Sequence, residues 1–290
     1  MLPPAPPLHP ADQIPAPVLH QLFCAAYADY IIGPPPLPLE HWPRFLARQG
    51  IDLALSRVAG PPEAPVAFAF VAPRPALQRW RLASLAALPA ARGQGAAPTL
   101  LTDFRQRAQA AGRVAVELEV IAQNTRAFEL YQRRGYEVLD ALHGYSGHLP
   151  ADARPGPAPR VVDRDTACAW LDAAEAAGLA LPLQVSAPVL RALPEPGEAW
   201  QHGGAQLCFV QPPGEPLFIR SLVDHHPAQA DAAVLLQALA AAHPGQAVAV
   251  PPLQRPTLGG EALRQIGLAR QPLHQWWMRS SLLAGDQATG

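Results

Sequence analysis

Lysine is missing from this chain altogether: all 22 basic residues are arginine. They are balanced by 23 acids and only 16% of the residues carry charge, so no basic stripe marks a nucleic-acid or anionic-membrane surface. Cysteine is scarce, with Cys24, Cys168 and Cys208 scattered through apolar stretches at no metal-ligand spacing. This excludes a disulfide framework and leads us to expect a reducing, cytoplasmic setting and no metal. No run approaches the roughly 18 apolar residues of a membrane span. The opening Met1-Leu-Pro-Pro-Ala-Pro-Pro has neither the basic start nor the apolar core of a secretion signal, so export is not expected.

Proline, by contrast, is abundant, with 36 residues in a chain of 290. That length suits two domains, and Pro150-Ala-Asp-Ala-Arg-Pro-Gly-Pro-Ala-Pro159 marks the join. Such a segment forms neither a helix nor a central strand. The expected division is therefore a domain over 1–149, a semi-rigid linker over 150–159 and a second domain over 160–290.

The most informative stretch lies in the first half. Ala90-Ala-Arg92-Gly93-Gln94-Gly95-Ala96-Ala97-Pro98 reads as a tight glycine loop running into the first turn of an amphipathic helix. Gly93 and Gly95 permit positive φ, and the helix start offers unpaired N–H groups and the positive end of its dipole. This is a cradle for an anion held by backbone, with Arg92 adding charge at the rim. Both a Gly-Lys-Ser/Thr ending and the acidic residue of dinucleotide binding are absent. An apolar strand, Arg81-Leu-Ala-Ser-Leu85-Ala86-Ala87-Leu88-Pro89, feeds the loop. A second, Val114-Ala-Val-Glu117-Leu118-Glu119-Val120, follows the helix and leads to Asn124-Thr-Arg-Ala127-Phe-Glu-Leu130-Tyr131 and Gly135-Tyr136.

Strand, glycine loop, helix, strand, helix and Gly-aromatic in this order resemble the GNAT superfamily of acetyl-CoA-dependent N-acyltransferases. Arg92, Gly95 and Ala97 meet its Arg/Gln-x-x-Gly-x-Gly/Ala signature; Asn124, Ala127, Leu130, Tyr131, Gly135 and Tyr136 meet its second helical motif. The resemblance implies that Leu85, Ala86 and Ala87 splay from the neighbouring strand and offer backbone groups to the pantetheine arm. It implies that Arg92, Gly93, Gln94, Gly95, Ala96 and Ala97 hold the pyrophosphate of acetyl-CoA. Asn124 then contacts the coenzyme or caps its helix, and Tyr131 donates a proton to the departing thiolate. Pro98 departs from the family pattern and removes one N–H, for which a slightly lower coenzyme affinity is expected.

The general base is less settled. Leu118-Glu119-Val120, with Tyr131 twelve residues on, resembles the ribosomal-protein N-terminal acetyltransferases of the superfamily, which implies Glu119 as base. Alternation puts Glu117 and Glu119 on one face of their strand, lining the cleft or facing solvent. Tyr27, Tyr30 and Trp42, on two early helices read over Val18–Tyr30 and Leu39–Gln49, are candidates for acceptor contact or for core packing. Cys24 is not placed as an acyl-carrying nucleophile, because nothing in the sequence pairs it with a histidine.

The second half repeats the first. Gly112-Arg-Val-Ala-Val answers to Gly245-Gln-Ala-Val-Ala-Val, and Gly135-Tyr136 to Gly267-Leu268. Where the first half has its glycine loop, the second has Asp224-His225-His226-Pro227, so this copy is expected to be degenerate and not to bind coenzyme. The two histidines read as solvated loop residues rather than metal ligands. The expected fold is thus α+β: two tandem GNAT-like domains, each a mixed, mostly antiparallel sheet flanked by helices. The resemblance implies direct acetyl transfer in a ternary complex, to a small-molecule amine or a protein N-terminus. The alternative is a catalytically silent acetyl-CoA-binding sensor or scaffold. Trp276-Trp277 reads equally as a homodimer surface or as core.

Overall fold

The computed structural model describes residues 6–34, 36–193 and 197–283. By contact, the chain divides into two compact units. One holds residues 1–119, 124–137 and 278–290, and the other residues 120–123 and 138–277.

The first unit contains strand β1 (Leu8–Pro10), helices α1 (Ala16–Ala26) and α2 (Trp42–Gln49), and strands β2 (Asp52–Ala59), β3 (Ala67–Arg74) and β4 (Arg79–Ala87). Helix α3 (Ala96–Ala110), β5 (Ala115–Ile121) and α4 (Thr125–Gln132) follow. Its strands lie in the order β1-β2-β3-β4-β5, antiparallel up to β4 and parallel between β4 and β5, which α3 connects. One face carries α1 and α2 over Phe68 and Phe70, whose rings stand 4.4 Å apart and meet Phe23 and Trp42. Each such buried ring contributes roughly 1.5–3 kcal/mol. The other face packs α3, with Phe104 stacked on Trp80 at 6.3 Å.

Helix α1 stops at Ala26, four residues short of the expected end. Tyr27 and Tyr30 stand on successive tight turns beyond it, Tyr30 N–H to Tyr27 C=O and Gly33 N–H to Tyr30 C=O. Gly33, at φ 84°, and the prolines after it turn the chain away from helix. Trp42 is 1% exposed and belongs to the aromatic core, not to a substrate surface.

In the second unit β6 (Glu137–His148) is one continuous strand. It continues with β7 (Arg160–Val162), α5 (Arg164–Ala176), α6 (Ala187–Ala192), β8 (Glu198–His202), β9 (Ala205–Val210), β10 (Leu217–Asp224), α7 (Ala230–Ala242), β11 (Ala247–Gln254), α8 (Gly260–Gln265) and β12 (Ala269–Ser281). From β7 to β12 this repeats the order of β1 to β6, strand and helix for strand and helix. The strands run β12-β6-β11-β10-β9-β8-β7. Val138–His148 belong to this unit because β6 pairs with β11 from His143↔Gln254 to His148↔Ala247, so the change of unit falls within β6 and not at 150–159. Met278–Ser281, the end of β12, belong to the first unit, where Leu282 N–H reaches Val114 C=O at 2.9 Å. Residues 150–159 form neither helix nor strand. Trp277 is 1% exposed, so of the Trp276-Trp277 pair that ring is core. No described helix is long and apolar enough to cross a membrane.

Candidate active site

Strand β4 changes partners halfway along. Its pairing with β3 slips at Ala83, with Val71 opposite Leu82 and Phe70 opposite Ser84. Its parallel pairing with β5 ends at the same point, on Leu82↔Leu118. Ala83 is therefore a β-bulge, and Ser84, Leu85, Ala86 and Ala87 leave β5 while remaining paired to β3. All five residues from Ala83 to Ala87 are half-buried, with no in-out alternation. Leu85, Ala86 and Ala87 are thus paired to β3 on one side and have no β5 partner on the other.

The loop beyond has the expected backbone. Gly93 and Gly95 sit at φ 78° and 89°, and Gly95 caps the N-terminus of α3. Open space lies where either Cβ would point, so it is the left-handed backbone that requires glycine. The first rung of the helix is Thr99 N–H to Gly95 C=O at 3.0 Å, which leaves the amides of Ala96 and Ala97 ahead of the ladder. Pro98, the third helical residue, needs no donor there. Gln94 braces the loop through Nε2 to Ala90 C=O at 2.8 Å.

Arg92 is not a free charge at the rim. Its guanidinium grips both Asp29 oxygens at 2.6 Å and donates to Ala26 C=O and Ala87 C=O, tying the loop to the end of α1 and to β4. The expectation had missed Asp29, which no motif marks.

Asn124 caps α4, its Oδ1 accepting from Ala127 N–H at 3.2 Å. Tyr131 lies two turns on, 7% exposed, with its ring 5.7 Å from Tyr136. Gly135, at φ 76°, ends α4 so that Tyr136 N–H reaches back to Tyr131 C=O. Tyr27 bonds Ser84 Oγ at 2.7 Å, the first residue beyond the bulge. Burial pushes the Tyr131 phenol far above the ordinary tyrosine range, with Tyr27, Tyr136 and Tyr30 adding to the effect. Tyr27 is pushed up by burial as well, against the Ser84 hydrogen bond. The end of α1 and the open edge of β4 thus meet at the Tyr27–Ser84 hydrogen bond, with the Tyr30 ring 4.9 Å from that of Tyr27.

The two strand carboxylates share one face, as alternation requires, but that face is neither open cleft nor solvent. Glu117 is buried against Arg74 at 2.5 Å and near Arg79 at 3.6 Å. Glu119 pairs with Arg81 at 2.6 Å, the two side chains 1% and 3% exposed. The signal was present in the sequence, since Arg79 and Arg81 alternate on β4 as the glutamates do on β5. Glu119 is also the first residue of β5 beyond the last β4 pair, and so stands where the strands part.

Contrary to expectation, Cys24 does have a histidine beside it, His20 Nε2 at 3.5 Å. That nitrogen is 2.6 Å from Leu37 C=O, so it carries the proton and offers no lone pair to the thiol. Burial raises the Cys24 pKa, and the sulfur stays a thiol.

The second unit closes the equivalent place with its own side chains. Asp224 is fully buried, its oxygens accepting from His226 N–H at 2.8 Å and from Ala232 N–H, in the first turn of α7, at 2.9 Å. A carboxylate of the chain occupies the position of an anion at that helix start. Strands β10 and β11 pair only at Leu217↔Val248 and Phe218↔Ala249, and beyond them Gln254 Nε2 donates to Leu222 C=O at 3.0 Å. His225 and His226 are exposed as expected, and no described group of three or more His, Cys, Asp or Glu side chains is placed to hold a metal ion.

A bulged strand that splays from its parallel neighbour, a glycine turn into a helix and a tyrosine on the next helix define an acyltransferase fold. Residues 19–136 match the acetyltransferase (GNAT) family. That stretch belongs to the family, and the chain carries a GNAT N-acetyltransferase domain. Solved structures extend the likeness of fold to the whole length. A GCN5-related N-acetyltransferase from Sphaerobacter thermophilus is 18% identical, with a TM-score of 0.60 over 98% of each chain. One from Kribbella flavida is 18% identical at a TM-score of 0.61, over 95% of this chain and 72% of the other. An acetyltransferase structure from Pyrococcus horikoshii is 12% identical at 0.64, over 97% and 91%. No curated protein matches the chain.

Proposed function

We propose that the protein is an acetyl-CoA-dependent N-acetyltransferase that moves an acetyl group directly to a primary amine within a ternary complex. The observation that carries this is the parting of β4 from β5 at the Ala83 bulge, immediately before the left-handed glycine turn into α3. A pantetheine arm needs a strand edge to pair with, and a pyrophosphate needs unpaired amides at a helix start; this chain places the two in sequence. In this reading Leu85, Ala86 and Ala87 hold the arm by backbone. Gly93, Gln94, Gly95, Ala96 and Ala97 hold the pyrophosphate, Arg92 fixes their loop, and Asn124 caps the helix that carries Tyr131.

The thioester supplies the acetyl group and a thiolate leaving group. Tyr131 stays protonated at all ordinary pH values and donates its hydrogen to the developing thiolate. Glu119, at the fork of the strands, takes the amine proton through water. Arg81 holds the carboxylate in place at 2.6 Å.

Calorimetric titration with acetyl-CoA, run on the wild type and on Gly95→Asp, tests the site. One site per chain that disappears in the variant supports it. Absence of binding in the wild type rejects it, and tight binding without turnover on any amine leaves the sensor reading instead. Localisation in the cytoplasm is part of the same proposal, and fractionation of the producing cells tests it.

A further inference from the structure

We infer that Ser84 is a catalytic residue of the proposed transfer, donating its hydroxyl hydrogen to the thioester carbonyl, and that Tyr27 positions it. The inference rests on the acetyl-transfer reading and concerns the same site. Ser84 is the first residue of β4 beyond the Ala83 bulge, and Leu82 before it is the last to pair with β5. Its Oγ lies 2.7 Å from the hydroxyl of Tyr27, the residue that ends α1. This bond puts the Ser84 side chain on the face of the sheet that α1 and α2 cover. Glu119, on the other prong of the fork, lies on the same face, since its partner Arg81 also donates to Gln49 C=O, at the end of α2, at 3.3 Å. A hydroxyl on one strand and a carboxylate on the other thus flank the place where an amine meets a thioester held along β4.

Hydrogen counting selects the ligand atom. Two hydroxyls carry two hydrogens, and the bond between them uses one, so one remains for a third group. A phenol is more acidic than an aliphatic alcohol, which makes Tyr27 the donor within the pair and leaves Ser84 its own hydrogen. Burial keeps the Tyr27 phenol protonated well past neutral pH, so this order of donors persists. A hydroxyl that accepts from one neighbour donates more strongly to the next. An ammonium group brings hydrogens and no lone pair, whereas a carbonyl oxygen brings lone pairs and gains negative charge in the reaction; the free hydrogen therefore suits the thioester. As the amine nitrogen bonds to the carbonyl carbon, the C=O electron pair moves to oxygen, where the Ser84 hydrogen stabilises it. When the carbonyl re-forms, the C–S bond breaks and Tyr131 gives its hydrogen to the thiolate, recovering it from solvent. The amine proton leaves by water and Glu119.

The test is infrared difference spectroscopy of the protein with acetyl-CoA carrying the heavy carbon isotope at its carbonyl, a reading that needs no acceptor. Donation to a carbonyl oxygen lowers its stretching frequency, so the labelled band is expected lower in the wild type than in Ser84→Ala. Ser84→Thr keeps a hydroxyl and is expected to keep the low band; Tyr27→Phe, which leaves the Ser84 hydrogen unsupported, is expected to fall between. With a panel of primary amines, thiol release is expected to drop about a hundredfold in kcat for Ser84→Ala and about tenfold for Tyr27→Phe, and to recover in Ser84→Thr. The calorimetric Kd for CoA, which has no thioester carbonyl, is expected to stay within about twofold in all three variants. The same band in the wild type and Ser84→Ala overturns the inference. So does a loss of CoA affinity that accompanies the change of band, which would make the pair a brace of β4 and nothing more. A wild type that binds neither CoA nor acetyl-CoA removes the acetyl-transfer reading itself, and calorimetry separates that failure from a wrong assignment of Ser84.

Discussion

Arg92 and Asp29 form a two-pronged ion pair, each guanidinium nitrogen 2.6 Å from its own carboxylate oxygen, across 63 residues of chain. It fastens the loop proposed to hold pyrophosphate to the segment just beyond α1. The arginine hydrogen bonds hold the Asp29 carboxyl below its ordinary range. A depressed carboxyl pKa means that the pair persists at neutral pH and is lost only as pH falls through that lowered value. Asp29 also places negative charge beside a cradle for a polyanion. Asp29→Asn is expected to tighten acetyl-CoA binding roughly two- to fivefold at low salt, the gain shrinking as ionic strength rises. Arg92→Ala loses both the charge and the tether, and is expected to weaken binding. Titrations at two salt concentrations decide between charge and tether.

Tyr131→Phe removes the proposed proton donor but little volume. Its expected effect is a fall in kcat of about a hundredfold or more with the acetyl-CoA Kd nearly unchanged. Because burial raises the phenol's pKa, the hydroxyl keeps its proton past pH 10. Any alkaline loss of activity below pH 10 must then arise elsewhere and must persist in Tyr131→Phe; a limb that vanishes in the variant contradicts the assignment.

What could be read in advance follows from how local each feature is. Gly93 and Gly95, the start of α3, the Asn124 cap and the Gly135 stop each depend on a few neighbouring residues, and all are found where the sequence put them. The repeat of the two halves was visible for the same reason. The Ala83 bulge was not, because nothing in Leu82-Ala83-Ser84 tells which of two small residues slips out of register with β3. The Arg81–Glu119 and Arg92–Asp29 pairs join residues 38 and 63 positions apart, and only the pairing of strands and the path after α1 bring them together. The extension of β6 into the second unit depends on β11, more than a hundred residues later.

Three buried phenols, those of Tyr27, Tyr131 and Tyr136, make a prediction about stability. Burial raises all three above the ordinary value of 10. In the unfolded chain they lose protons near pH 10, while the folded chain retains them. Above that pH the unfolded state binds fewer protons, so stability falls as pH rises, by about 1.4 kcal/mol per pH unit for each tyrosine. Urea denaturation at pH 9, 10 and 11 is expected to show a midpoint that is flat and then drops. Tyr27→Phe is expected to lessen the slope; a midpoint unaffected up to pH 11 would show that the rings ionise freely in the folded state.

Glu119 is held by Arg81 at 2.6 Å, in a pair that is almost fully buried. Arg81→Met leaves a buried carboxylate without its partner, and a loss of about 3–5 kcal/mol of stability is expected. Glu119→Gln also frees an arginine but keeps the shape of the side chain, so a smaller loss is expected. If Glu119 acts as base, the variant lowers kcat and removes the acidic limb of the rate profile, which added small bases such as imidazole partly restore. Equal rates and profiles for Glu119→Gln and the wild type assign the residue to structure alone.

The second unit supplies the sharpest count. The helix start at α7 that answers to the start of α3 is occupied by the Asp224 carboxylate, buried and bonded to two backbone amides. A phosphate can enter only by displacing it, and would bring like charge against Asp224 and against Asp231 of the same first turn. One acetyl-CoA per chain is therefore expected, at the first unit alone. Removing Asp224 does not restore a site, since the turn has no glycine at the position of Gly95 and the left-handed residue there is Gln229. Asp224→Ala is expected to lose about 1–2 kcal/mol of stability through the uncapped amides while stoichiometry remains one. Titration of this variant beside Gly95→Asp separates the two units: binding must survive the first change and vanish in the second, and two sites in either wild type or Asp224→Ala would mean that the carboxylate gates a working cradle.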